Sequence, residues 1–198
     1  TQLGALKILK SSVEELDSKS DFYMAASHLI NFPGEDTVNG LIGFLQISSQ
    51  DSSVLLAQRK AVEVLGRLHC QEAQTVIGQC LASKDIYMVE NAAWALGQLI
   101  CQDSAFHEQM ISLLAEPSQN RRVLIQTLSS LDVDQAIPHF EELKRDDKPS
   151  VAGAAIAALA KQRQLSKDEF EKLSENLFLP NQMDRQSAVQ DIIDASQV

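Results

Sequence analysis

The chain has 198 residues, and its 27 acidic side chains outnumber its 17 basic ones, which gives a formal charge of −10. The length suits one domain, and a hydrophobic content of 44% excludes wholesale disorder. Only 8 glycines and 5 prolines occur, too few for a turn-rich sandwich or barrel, so an all-α fold is expected. The negative charge argues against a nucleic-acid partner and against anionic lipid surfaces.

Hydropathy and the number of cysteines indicate the cellular compartment. Apolar runs such as 154–160 fall far short of the ~20 residues that span a bilayer, so no membrane insertion is expected. Three cysteines cannot form a closed disulfide framework in a chain of this length. Both observations favour a cytoplasmic protein.

In chain order, the first predicted element is an N-terminal capping helix within residues 1–17. Six helical stretches follow, in which a large apolar anchor recurs at intervals of 31 to 35 residues. Four residues before each anchor, on the same helix face, the residue is alanine in five cases out of six, which allows a neighbouring helix to approach closely. These positions are Ala26, Ala61, Ala92, Leu124, Ala155 and Ala188.

Between these stretches lie second helical segments, at 38–47, 73–81, 106–114, 135–143 and 167–177. Each pair makes a helical hairpin, and a hairpin hides its apolar stripe only by stacking on the next one. The sequence therefore predicts one domain over 1–198, an all-α solenoid of about five to six HEAT-like hairpins. The last repeat, at 185–195, lacks its second helix. Either its first helix caps the preceding hairpin, or the chain is a truncated form of a native protein that continues, and we favour the second interpretation.

Three phrases of the repeat carry a resemblance to a known family: 21–29 (DFYMAASHL), 59–66 (RKAVEVLG) and 87–97 (YMVENAAWALG). They resemble the HEAT-like repeats of cyanobacterial phycobilin lyases of the E/F type and of lyase-like relatives. The resemblance covers about residues 15–195. It is greatest to a lyase-like branch described as HEAT-repeat proteins that interact with an A-type iron–sulfur carrier.

The resemblance implies a scaffold that binds a protein client on one solenoid face, the client being a phycobiliprotein subunit or an iron–sulfur carrier. The alternative is a phycobilin lyase or lyase subunit, a C–S bond-forming enzyme that attaches or removes bilin at a client cysteine with a second chain. Because the client supplies the nucleophile in that chemistry, the lyase binds, orients and protonates. No resident cofactor is implied, although bilin could bind.

Candidate binding residues lie at or near the starts of the repeated helices. Trp94, the single tryptophan, is either a packing residue beside the alanines or a platform for a bilin ring or client side chain. Glu90 and Asn91 follow Tyr87 closely, and they either satisfy backbone N–H groups or belong to a binding strip.

Such a strip would consist of arginines that pair with Glu90 across repeats. Arg59, Arg121 and Arg122 occupy corresponding positions, and Arg185 extends the column. Arginine suits the carboxylate of a propionate or of a client.

No catalytic residue or metal ligand is assigned. Cys70 and Cys101 are one repeat apart, but stacked helices hold such positions roughly 8–10 Å apart, too far for a shared metal. We interpret them as buried thiols. The histidines are scattered, and neither a nucleophile elbow nor a phosphate-binding glycine loop occurs.

Overall fold

A computed structural model of the chain describes residues 1–196. These residues form twelve α-helices and no β-strand, as the sequence predicts. The chain divides into two compact units, one from Thr1 to Gln102 and one that begins at Asp103. The predicted single repeat domain over 1–198 stays a prediction, and its last two residues lie outside the described part. Over residues 1–196, no helix combines the length and apolar character that crossing a membrane requires.

Unit 1 contains six helices: α1 (Gln2–Lys10), α2 (Asp21–His28), α3 (Glu35–Leu45), α4 (Ser52–Arg67), α5 (Gln74–Gln79) and α6 (Ile86–Gln98). The helices of the repeated stretches pack on one another, α2 against α4 and α4 against α6, while α1, α3 and α5 flank this row. The predicted capping helix over residues 1–17 is shorter in the structure. It ends at Lys10, because Ser12 is extended and its N–H donates to the side chain of Glu15 in a separate 3-10 turn.

Unit 2 is built around α10, in which every residue from Val151 to Ala160 is buried. This helix starts with Pro149 at a first-turn position, where the missing N–H costs nothing. It packs between α8 and α12, with α9 and α11 beside it. The helices are α7 (Ser104–Leu113), α8 (Arg121–Ser130), α9 (Ile137–Leu143), α10 (Pro149–Ala160), α11 (Lys167–Glu175) and α12 (Gln182–Ser196).

The small-residue positions lie at helix contacts within both units. All six are at most 1% exposed, including Leu124, which interrupts the alanines. In unit 1, a Cβ on Gly66 would lie 2.9 Å from the Cβ of Ala95, so α4 and α6 approach more closely there than two side chains permit. The repeated pattern thus marks the surfaces on which the hairpins stack.

A repeated left-handed turn follows α4, α6 and α8. His69, Ile100 and Asp132 have φ of 52°, 51° and 52°, a conformation that is uncommon for residues other than glycine. The next residue of each turn bonds back five residues, as Cys70 does to the carbonyl of Leu65 at 3.2 Å. This turn reverses the chain tightly enough to start the next hairpin.

Candidate functional site

The exposed faces of α2, α4 and α6 enclose a cleft of about 240 Å³ in unit 1. Helical periodicity explains the lining of α4: Ala57 and Ala61 are buried against neighbouring helices, whereas side chains on the other face reach the cleft. Four of the eight predicted binding residues meet here, namely Arg59, Tyr87, Glu90 and Asn91. The full lining is Tyr23, Leu56, Arg59, Lys60, Glu63, Tyr87, Glu90 and Asn91.

Arg59 is held by the start of α6. Its Nε donates to Oδ2 of Asp85 at 2.6 Å, and its guanidinium carbon lies 4.9 Å from the centre of the Tyr87 ring. Asp85 is itself fixed, since its Oδ1 accepts the backbone N–H of Tyr87 at 3.0 Å as the N-cap of α6. Arg59, Asp85 and Tyr87 thus support one another.

Lys60 is a second cation in the cleft lining, and its charge is neutralised by Glu63. Lys60 bonds Glu63, and its ammonium lies 5.2 Å from the centre of the Tyr23 ring. Burial acts against the charge of Lys60, but the hydrogen bonds to Glu63 and Tyr23 outweigh it and raise the pKa of this ammonium. Lys60 therefore stays protonated, with its charge directed at Glu63.

Glu90 and Asn91 play different parts in the cleft wall. Asn91 donates a long hydrogen bond of 3.5 Å to the backbone carbonyl of Arg59, which connects α6 to α4. Glu90 is half-buried, and no ion pair within residues 1–196 includes it. The expected pairing of Glu90 with the arginines is therefore wrong, because each arginine finds another partner.

The two arginines of α8 lie inside unit 2. Arg121 pairs with Asp146 at 2.8 Å, and the two side chains are only 11% and 14% exposed. Arg122 pairs at 2.7 Å with Asp191, which is 1% exposed. Cations that are withdrawn from water need a carboxylate partner, and these contacts connect α8 to the loop between α9 and α10 and to α12. The expected exposed strip does not form at these two residues.

Arg185 is also engaged by its own surroundings. Its Nη1 donates to the carbonyl oxygens of Leu179 and Pro180, at 2.7 Å each. These carbonyls belong to the turn that precedes α12, so the side chain stabilises that turn. Its predicted place in a binding strip stays a prediction.

Trp94 lies apart from the cleft lining. It is half-buried, and a Cβ on Gly66 would lie 3.0 Å from its ring, next to the contact with Ala95. The ring therefore packs in the close contact between α4 and α6. Its role as a binding platform is not tested by this placement.

Cys70 and Cys101 take the same place in successive turns. Both thiols are buried, at the residue that follows the left-handed position of the turn. Burial, with a smaller contribution from Glu72, raises the pKa of Cys70, and burial raises the pKa of the half-buried Cys80 to about 11. Metal ligation and nucleophilic chemistry need thiolates, which the environments of Cys70 and Cys80 disfavour.

The cleft includes residues that the repeat pattern did not single out. Tyr23, Leu56, Lys60 and Glu63 line it. A recess of about 470 Å³ adjoins the cleft and shares Leu56 and Arg59 with it, while Lys19 supplies a further cation. A helical-wheel analysis of α4 could have found Leu56, Lys60 and Glu63, which follow one another at three- and four-residue spacing with Arg59. Nothing local marks Tyr23 or Lys19.

Two relatives of known sequence indicate the family of the chain. The chain is 45% identical over 193 residues, 96% of its length, to the bilin biosynthesis protein CpeY of Synechococcus sp. (strain WH8020). It is 35% identical over 198 residues to the uncharacterized phycocyanin operon protein Y of Pseudanabaena tenuis (strain PCC 7409). The chain belongs to the phycobilin lyase-like family of HEAT-repeat proteins. It spans about 45% of the length of the first of these relatives and 46% of the second.

Solved structures confirm the fold of this phycobilin lyase-like chain. A structure of the complex of CpcE and CpcF of phycocyanin lyase, from Nostoc sp. PCC7120, superposes with a TM-score of 0.79 over 97% of this chain and 76% of that one, at 24% identity. Two engineered proteins superpose with TM-scores of 0.57 and 0.58 at 18% identity. These likenesses confirm the predicted all-α solenoid fold.

Two further comparisons concern family models and the iron–sulfur-interacting branch. No protein-family model matches the chain. Neither relative's name mentions an iron–sulfur carrier, so the resemblance to the iron–sulfur-interacting branch has no support, while the resemblance to the phycobilin lyase-like family is confirmed.

Proposed function

We propose that this phycobilin lyase-like chain is a client-binding HEAT-repeat region, and that the unit 1 cleft receives the client, a phycobiliprotein subunit. The observation that carries the proposal is that Arg59, Tyr87, Glu90 and Asn91 line one cleft. They do so in a chain that is 45% identical to a bilin biosynthesis protein. A cytoplasmic location belongs to the same proposal.

The chemistry of the cleft suits a protein surface. Leu56 and Tyr87 are 47% and 56% exposed, and large apolar side chains at such exposure gain free energy when a partner covers them. Ionised side chains surround them, which is typical of a transient interface with an apolar centre and a polar rim. The cleft thus offers contact area together with charges that select the partner.

A matched pair of variants tests the proposal. Leu56→Glu places a charge in the cleft, whereas Ile47→Glu places one at a residue of similar exposure, 44%, that lies outside the lining. We expect Leu56→Glu to weaken binding of purified, pigment-free phycobiliprotein subunits by about tenfold or more, because it removes apolar contact area and places a carboxylate three residues before Arg59 on the same helix face. Ile47→Glu should bind as the original chain does.

The measurement is a titration of labelled subunit by the chain, with circular dichroism to show that both variants keep their helices. Equal weakening by the two substitutions would place the client elsewhere. Failure of the original chain to bind any pigment-free subunit would reject the client-binding function itself.

A second candidate function is bilin attachment or removal, as a lyase or as a lyase subunit that works with another chain. The similarity to CpeY favours it, together with the fold shared with a two-chain phycocyanin lyase. In attachment, the client thiol adds across an exocyclic C=C bond of the bilin: the C–S bond forms and the thiol proton passes to the neighbouring carbon. The chain would then bind and orient both reactants.

Covalent adducts distinguish the two functions. The chain, bilin and pigment-free subunit are incubated, and the subunit is denatured in acid and examined for bilin by its absorbance and mass. Accumulation of adduct above the rate without the chain would establish lyase activity. Binding of the subunit without faster adduct formation would leave the chain as a scaffold.

A further inference from the structure

The guanidinium of Arg59 is oriented by two contacts that leave part of it unused. Nε donates to Asp85 at 2.6 Å, and one face of the group lies against the Tyr87 ring. Both partners sit in the first turn of α6 or just before it, where Asp85 caps the helix. The side chain is therefore held in one orientation, and little conformational entropy is lost when it binds a further group.

The terminal Nη1 and Nη2 groups of Arg59, a side chain that lines the cleft, have no acceptor among residues 1–196. Among residues 1–196, the one side-chain hydrogen bond of Arg59 is made by Nε, and the side chain remains 28% exposed. Two parallel N–H groups on a planar cation match the two oxygens of a carboxylate. The arrangement thus offers a bidentate site that the protein itself does not fill.

The charged side chains around Arg59 leave its terminal N–H groups as the donors for a ligand. Lys19, Arg59 and Lys60 line the cleft and the adjoining recess together with Glu63 and Glu90, and Asp85 adds a carboxylate at the start of α6. Lys60 is bonded to Glu63, whereas Asp85 accepts from Nε of Arg59. Recognition of an anion would therefore rest on the directed N–H groups of Arg59, with Lys19 as a second cation in the shared recess, and not on a net positive field.

We propose that Arg59 is a carboxylate-anchoring residue, whose Nη groups bind a carboxylate of the ligand in the unit 1 cleft while Asp85 and Tyr87 hold it in position. The assignment rests on the proposed function for the identity of that ligand. The carboxylate could be a propionate of a linear tetrapyrrole or an aspartate or glutamate side chain of the client.

Two probes separate these sources. The first is biliverdin, which has two propionates, compared with its dimethyl ester, which has the same conjugated body without the charges. The second is the pigment-free phycobiliprotein subunit. Both are titrated against the original chain, Arg59→Gln, Arg59→Lys and Arg67→Gln. Arg67 lies on the same helix, pairs with Glu63 and does not line the cleft, so its substitution controls for the loss of one positive charge.

A propionate source predicts that the original chain binds biliverdin about tenfold or more tightly than the ester, because charge-assisted hydrogen bonds are lost with esterification. Arg59→Gln should remove that preference, and Arg59→Lys should restore only part of it, since an ammonium cannot bond both oxygens in one plane. Arg67→Gln should keep it. A client side chain predicts that Arg59→Gln instead weakens subunit binding about tenfold, with acid and ester bound alike.

Three results would overturn the assignment: neither probe binds the original chain, Arg59→Gln binds both probes unchanged, or Arg67→Gln weakens binding as much as Arg59→Gln does. Failure of the proposed function has a different signature. In that case the subunit does not bind, yet the preference for acid over ester persists and still depends on Arg59. The Nε–H resonance of Arg59, followed by NMR during the biliverdin titration, gives a readout that does not depend on the client.

Discussion

Arg122 in α8 bonds the carboxylate of Asp191 in α12, a residue 69 positions further along the chain. Nη1 donates to Oδ2 at 3.0 Å, and Nη2 lies 2.7 Å from Oδ1. The same guanidinium donates to the carbonyls of Ser150 and Ser187, so one side chain connects α8, α10 and α12. Burial raises the pKa of Asp191, although Arg122 opposes that shift. An arginine expected at a binding strip thus stabilises the interior of unit 2.

Removing one member of this pair should be strongly destabilising. Arg122→Ala leaves a carboxylate that is 1% exposed without its cation, and the cost of such a change is about 3–5 kcal/mol. We expect the free energy of unfolding in urea to fall by about that amount. The double variant Arg122→Met with Asp191→Leu should recover most of the loss, because no charge remains buried. A loss below about 1 kcal/mol for Arg122→Ala would contradict the structural role.

Gly153 in α10 provides the space that Asp191 occupies. A Cβ at this position would overlap Oδ2 of Asp191, and both groups are held in the interior. Gly153→Ala should therefore destabilise unit 2 by about 1–3 kcal/mol, despite the better helix propensity of alanine.

The matched control is Gly43→Ala in α3, where a Cβ would meet nothing within 4 Å. That substitution should raise the free energy of unfolding by up to about 1 kcal/mol. Urea unfolding of both variants checks the pair. Stabilisation by Gly153→Ala would show that Asp191 can move aside at no cost.

The lowered pKa of Glu169 makes the free energy of unfolding depend on pH. Arg163, which bonds both of its carboxylate oxygens, lowers its pKa well below the usual range, and Lys144 and the N–H of Ser166 add to this shift against burial. Because the pKa is lower in the folded state, the stabilisation is present above the ordinary value of 4.5 and is lost as the pH falls below it. Glu169→Gln should be about 1.5–3 kcal/mol less stable than the original chain at pH 7. The gap should narrow once the pH falls below 4.5, and it should close only as the pH falls through the lowered pKa of the folded state.

Urea unfolding between pH 7 and pH 3 measures this narrowing of the gap. The control is Glu171→Gln, because Glu171 is 54% exposed and its pair with Lys167 should contribute little. The pKa of Asp191 is raised, so its contribution to stability changes with pH in the opposite sense to that of Glu169. Asp191 is present in all of these chains, so its contribution cancels when their free energies of unfolding are subtracted. A constant gap between Glu169→Gln and the original chain over the whole range would contradict the prediction.

The stacking of hairpins could be predicted because its signal is local and repeated. Each alanine such as Ala61 or Ala92 lies four residues from its anchor, so the pattern on one helix face identifies it without knowledge of the neighbouring helix.

The repeat also explains why two of the cysteines are buried. Cys70 and Cys101 occupy the buried residue after the left-handed turn, and Val133 holds that place in unit 2, so the position requires a small apolar side chain.

The partners of the arginines could not be predicted from the repeat alone. The column of equivalent positions suggested that Arg122 would face its counterparts, but its partner is Asp191, two hairpins away. Arg59 likewise bonds Asp85, which caps α6, and not Glu90, which lines the same cleft. Repeats predict which backbone positions are equivalent, whereas the direction of a long charged side chain depends on which carboxylate is within reach. Half of the cleft lining, namely Arg59, Tyr87, Glu90 and Asn91, was therefore among the predicted binding residues, whereas the other half and the ion pairs were not.

Cys80 should be unreactive in the folded protein. Its thiol donates to the carbonyl of Val76 at 3.3 Å, and burial raises its pKa to about 11. At pH 8 only about 0.1% of such a thiol is ionised, and alkylation proceeds through the thiolate. We expect iodoacetamide to modify Cys80 slowly in buffer and at least tenfold faster in urea, as followed by peptide mass spectrometry. Equal rates in the two conditions would contradict the burial of this thiol.

Trp94 allows its two interpretations to be separated, because it packs at Gly66 and not in the cleft lining. Trp94→Phe shortens the ring at that contact and should lower the free energy of unfolding by about 1–2 kcal/mol, less than the 3–5 kcal/mol of a full truncation. Affinity for biliverdin and for the pigment-free subunit should stay within about twofold, since no group that faces the ligand is removed. Tyr87→Ala, which removes the ring beneath Arg59, should weaken both probes more than Trp94→Phe does. If Trp94→Phe weakens them tenfold with stability unchanged, the tryptophan is a binding platform after all.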